Sequence, residues 1–111
     1  MTLILPRGLA AALMVLAPHT AMAADLAAGK AKAAVCATCH GLDGVATAPD
    51  APNIAGDSAF YLAAQLKAYR SGARQHPQMS IIAQGLDDAD IADLAAWYAA
   101  ITVTATMPDV Q

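Results

Sequence analysis

The chain has 111 residues, with nine acidic and six basic side chains and a net charge of −3. That size leaves room for one small domain, and the acidic balance argues against a nucleic-acid partner. One Trp, three Tyr and one Phe are the only large fillers, so a chain this short needs something besides its own side chains in its middle.

Residues 1–23 read as an export signal. Arg7 supplies the nearby positive charge, Leu9 to Ala17 is apolar, Pro18 breaks the run, and Ala21-Met22-Ala23 has the small-x-small pattern of a cleavage site. The apolar run is far shorter than the roughly 20 residues that cross a bilayer. Val35 before Cys36 does not suit lipoprotein processing, which wants a small residue there. Cleavage after Ala23 is therefore expected, with a domain over 24–111, a periplasmic location and no membrane anchor. Losing Arg7 takes one basic residue and no acidic ones, so the net charge moves from −3 to −4. That permits a basic redox partner without naming one.

A first helix is expected to begin near Asp25 and to run through Lys30 and Lys32 toward the cysteines. Gly41 to Asp57 follows, with Gly41, Gly44, Pro49, Pro52 and Gly56, and reads as a long irregular loop. The middle helix should start at Ser58, carry Leu62, Leu66 and Tyr69 on one face, and stop at Ser71-Gly72. A second irregular stretch is expected over Gly72 to Leu86, containing His76-Pro77-Gln78-Met79. In the last helix Asp87 and Asp90 have capping-box spacing, and Ile91, Leu94, Ala95, Tyr98 and Ile101 recur at helical intervals. No alternating run is long enough for a sheet, so the expected class is all-α, with three main helices. Two long loops around an underfilled core suggest that they wrap a bulky ligand.

Cys36-Ala37-Thr38-Cys39-His40 supplies its chemistry. Thiols three residues apart share one face of a helical turn, placed to add across two vinyl groups along one edge of haem. His40 follows at once and can reach the iron; this spacing is the attachment signal of c-type haem. A plain disulfide, a thioredoxin-like pair and a zinc site compete with it. The thioredoxin motif needs a βαβ context that the chain lacks, and zinc would have to recruit His76.

For the sixth ligand, the residues after the export segment offer Met79, Met107 and His76. Met79 is the first choice, since it lies in an irregular stretch from which a side chain can be aimed at a fixed metal. Met107 lies in the tail, beyond the last helix. Iron held by His and Met favours electron transfer, and closing both axial positions shuts out substrates. The expected role is therefore a one-electron carrier rather than an enzyme. An open sixth position would instead make a gas-binding or peroxidatic protein.

Taken together, these residues resemble the class I cytochromes c, and most closely one half of the bacterial dihaem cytochromes c. The likeness is carried by Gly29-Lys30, the haem motif through Gly44, Ala51-Pro-Asn-Ile-Ala-Gly56 and Tyr61-Leu-Ala-Ala-Gln-Leu66. It continues in Tyr69-Arg-Ser-Gly-Ala-Arg74, Pro77-Gln-Met79 and Gly85 to Tyr98. The resemblance implies that Met79 binds iron and that the Pro52 carbonyl holds the proximal imidazole of His40. It also implies that Gly29 and Trp97 meet where the first and last helices cross. Among Tyr61, Gln65, Arg70 and Arg74, Arg74 is the first choice by charge for a haem propionate. The acidic run Asp87, Asp88, Asp90 and Asp93 reads as helix capping more than as a docking patch. One motif, where the dihaem relatives have two, implies a single haem. The implied protein is a monomer that meets a donor and an acceptor briefly at a haem edge rimmed by Met79, Ile81 and Ile82. The alternative is the electron-accepting subunit of a periplasmic dehydrogenase.

Overall fold

The computed structural model describes residues 23–110; the expected export segment, apart from Ala23, lies outside them. Five helices follow in order: α1 (Leu26–Lys32), α2 (Ala37–His40), α3 (Ala59–Ser71), α4 (Met79–Gln84) and α5 (Asp88–Ala99). Among the described residues there is no strand, and no helix is long and apolar enough to cross a membrane.

The helices start and stop where local chemistry permits. The Asp25 carboxylate accepts from the backbone of Ala27 (2.8 Å) and Ala28 (3.1 Å), filling two free donors at the start of α1. Ser58 Oγ accepts from Tyr61 N (3.1 Å) at the start of α3. That helix ends on Gly72 at φ 82°, a left-handed cap that glycine adopts without penalty. The expected capping box on α5 is present, with Asp90 N donating to Asp87 (2.7 Å) and Asp87 N to Asp90 (3.2 Å).

Helices α1 and α5 cross at Gly29. A Cβ there would overlap the Asp93 carbonyl oxygen and come within 2.9 Å of Trp97 Cβ, so the two backbones approach as closely as they do only because residue 29 has no side chain. An ionic knot locks the crossing. Lys32 Nζ bridges Asp90 (2.8 Å) and Asp93 (2.7 Å), and Asp93 also accepts from Asp25 N (2.8 Å). Beneath it lies a small core of Ala33, Leu62, Leu94, Ala95 and Tyr98. Ile91 is the largest fully buried side chain among the described residues.

One expectation is corrected. The stretch from Gly72 to Leu86 is not irregular throughout, because α4 occupies Met79–Gln84. Its bonding starts earlier still, with Ser80 N donating to the His76 carbonyl (3.0 Å) and Ile82 N to that of Gln78 (3.0 Å). A helix of under two turns has too few residues to show a periodicity, and only Ala83 in it is buried.

Candidate functional site

The cysteines sit on a tight turn that continues from α1. Cys36 N and Ala37 N both donate to the Ala33 carbonyl (3.0 and 2.9 Å), and His40 N donates to that of Cys36 (2.9 Å). Cys36 and Cys39 are therefore one helical turn apart and share a side of α2. Both thiols are free, Cys36 half-buried and Cys39 exposed. Burial pushes the Cys36 thiol above its ordinary pKa, which is the reverse of a redox-active thiolate. No cluster of three or more His, Cys, Asp or Glu residues able to hold a metal ion occurs among the described residues.

His40 is oriented from the loop. Its Nδ1 lies 2.9 Å from the Pro52 carbonyl oxygen. A carbonyl can only accept, so Nδ1 carries the proton and the Nε2 lone pair is left free to bind a metal. That loop is itself pinned to α2. Thr47 N and Ala48 N donate to the Cys39 carbonyl (2.9 and 3.2 Å), and Thr47 Oγ1 donates to that of Thr38 (3.0 Å). Asn53 Oδ1 takes Ala46 N (2.7 Å), and the Gly44 carbonyl takes Ile54 N (2.9 Å). Gly44, at φ 74°, leaves no space for a Cβ, which would come within 2.6 Å of Ala55 N.

Helix α5 clamps the same segment from behind, through Tyr98, which the sequence marked as core, and Trp97, which it placed at the helix crossing. Tyr98 Oη, buried, donates to the Gly41 carbonyl (3.1 Å), and Trp97 Nε1 donates to that of Leu42 (3.2 Å). In return Gly56 N donates to the Tyr98 carbonyl (2.9 Å). Burial, with Cys36 and Asp43 adding to it, pushes the Tyr98 hydroxyl up to about 12, so it stays a donor throughout the ordinary pH range. A phenol on the buried face of a helix, rather than a Phe, was the available sign of this bond.

The other candidates sit on α3, on α4 and on the turn between them. Met79 is half-buried and opens α4. Arg74 turns back on α3: its guanidinium donates to Gln65 Oε1 (2.6 Å) and stacks 4.7 Å above the Tyr69 ring. Arg70 is engaged by the Leu86 carbonyl (3.0 Å) and Asp88 (2.6 Å).

The family model for cytochrome c matches residues 26–100. The chain belongs to the cytochrome c family. It is 51% identical over 79 residues to cytochrome c-554(548) of Halomonas halodenitrificans, covering 68% of this chain and 95% of that protein. It is 42% identical over 87 residues to cytochrome c4 of Pseudomonas aeruginosa, covering 78% of this chain but 43% of that one. The crystal structure of reduced recombinant cytochrome c4 from Pseudomonas stutzeri superposes with a TM-score of 0.67 at 35% identity, over 72% of this chain and 47% of the other. The chain thus spans less than half the length of these c4 relatives and corresponds to one half of such a dihaem cytochrome. Membership brings haem c, held through the two thioether bonds of the Cys36–Cys39–His40 motif. The donor set here fits that group: two free thiols on one turn, and an imidazole whose Nδ1 is occupied and whose Nε2 is not.

Proposed function

We propose that this cytochrome c domain is an exported one-electron carrier, monomeric and periplasmic, in which His40 and Met79 supply the two axial iron ligands. The observation that carries the reading is the 2.9 Å contact of His40 Nδ1 with the Pro52 carbonyl, since it aims the other ring nitrogen and fixes the tautomer that metal binding requires. Bound at this motif, haem iron supplies a reversible Fe(III)/Fe(II) couple. The surrounding residues act by staying still. The Pro52 carbonyl holds the imidazole, the backbone bonds to Cys39 and Gly41 hold the turn on which it sits, and the Met79 thioether favours the reduced state.

Exposed Ile81, half-buried Ile82 and Met79 offer an apolar rim for brief encounters with a donor and an acceptor. Small interfaces suit such turnover. Arg74 is the first choice of propionate partner, with the guanidinium donors that its bond to Gln65 leaves over, and Gln65 or Tyr61 would share that role.

A second reading makes the domain the dedicated acceptor of a periplasmic dehydrogenase. It draws on a relative named thiosulfate dehydrogenase electron acceptor from Stutzerimonas stutzeri, 45% identical over 65 residues, although this chain covers 30% of that protein. Co-purification with a catalytic subunit from the native periplasm would favour it over a free shuttle.

Coexpression with haem-attachment machinery, followed by optical spectroscopy, tests the ligand set. The holoprotein is expected to be low-spin and unreactive to carbon monoxide when reduced, and Met79→Ala to bind carbon monoxide rapidly. Unchanged reactivity in Met79→Ala would remove Met79 from the iron.

A further inference from the structure

We propose that His76 is a positioning residue for the sixth ligand, through its hydrogen bonds to the backbone of the turn that carries Met79. The inference rests on the reading of Met79 as that ligand. A helical-type turn leads into α4, since the His76 carbonyl accepts Ser80 N at 3.0 Å, so His76 stands at the start of that turn with Pro77 next. Proline suits that place, because its missing N–H would have had no partner and its fixed φ is already helical.

Gln78 and Met79 stand second and third after His76, and their N–H groups are those that a cap side chain at that place can satisfy. Both point at one atom. His76 Nδ1 accepts from Gln78 N at 3.3 Å and from Met79 N at 3.4 Å. The arrangement is reciprocal, as Ser80 Oγ accepts from His76 N at 3.0 Å. These two side chains cap the exposed turn from both directions, in the manner of a capping box built from His and Ser. Since Nδ1 accepts from two donors, the neutral ring carries its proton on Nε2, away from the turn.

The consequence for the iron site is geometric. The Met79 backbone nitrogen is tied directly to the imidazole, so the cap sets where the Met79 Cα stands. Half-buried Met79 has few other fixed points, since of α4 only Ala83 is fully covered. Losing the cap should raise the share of molecules in which the sixth position is open. Exogenous ligands then bind more tightly in proportion to that share.

The test uses the ferric holoprotein, with imidazole as the probe. His76→Ala is expected to tighten apparent imidazole binding about fivefold, the change expected from losing a typical helix cap. It should also weaken the near-infrared charge-transfer band of methionine-bound ferric haem. His76→Asn, which keeps a side-chain acceptor suited to a cap, should restore both readouts toward wild type. Met79→Ala separates the two layers of the argument. If wild type lacks the band, or if Met79→Ala keeps it, the ligand reading fails and this inference falls with it. If the band depends on Met79 while His76→Ala leaves both band and imidazole affinity unchanged, the positioning role alone is wrong. Far-UV unfolding of the same variants guards against a merely structural effect: tighter imidazole binding that only tracks a global loss of stability, and that Asn fails to rescue, also overturns it.

Discussion

The two sides of the site are built differently. Around His40, the chain is held by bonds that reach across the whole fold: Tyr98 to Gly41 spans 57 residues and Trp97 to Leu42 spans 55. Around Met79, the bonds are local and exposed, joining His76 to residues two to four positions away. A long-range bond such as the buried one from Tyr98 breaks only when much of the fold opens, whereas a capped exposed turn can open alone. One side is thus a frame, and the other a flap that packs on α3 through Ala83 and is held by a short cap and by the Arg70 bond to Leu86.

Substitutions can break or sharpen that contrast. The largest effect is expected from Gly29→Ala, which forces a methyl into the Asp93 backbone and should cost about 3 kcal/mol through overpacking at the α1–α5 crossing. Thermal unfolding would show it as a fall in Tm, accompanied by poor haem incorporation. Next, Tyr98→Phe removes one of two bonds to the Gly41 carbonyl, which keeps Gly44 N at 3.2 Å, at about 1 kcal/mol. Chemical denaturation should show a lower midpoint with an unchanged slope, so that the whole fold is seen to respond. Arg70→Met acts on the flap, and a smaller effect is expected, since its pair with Asp88 is exposed and only its bond to the Leu86 carbonyl is part-buried. Hydrogen exchange should then accelerate over residues 79–86 while α5 stays protected.

The gentlest probe is pH. Lys32 holds the Asp90 and Asp93 carboxyls below their ordinary range, chiefly through its hydrogen bonds to them. A carboxyl with a depressed folded pKa contributes stability that is present above the ordinary value of 3.8 and is lost as pH falls through the folded one. Acidification below about pH 4 should therefore lower the Tm of wild type more than that of Lys32→Met. Equal slopes would show that the knot adds nothing to the α1–α5 crossing.

Much of this was legible in residue order. Ser58, Gly72, Asp87 and Asp90 announced the ends of α3 and α5, because caps are local and side-chain specific. The attachment motif was equally plain, since Cys36, Cys39 and His40 share one turn. Helix α4 escaped because it is too short for periodicity. Arg74 was chosen by charge, which carries no direction, and the fold aims it at Gln65 and the Tyr69 ring. The bonds from Tyr98 and Trp97 to the segment after His40 were out of reach, because nothing local marks which carbonyl a distant helix will meet.

The long span between Gly41 and Tyr98 also makes closure of the attachment turn depend on the far end of the domain. While α5 is undocked, Gly41 and Leu42 have no clamp, and the Cys36 thiol, half-buried in the finished fold, is less covered. Docking of the last described helix is thus what seals the turn that carries the thiols.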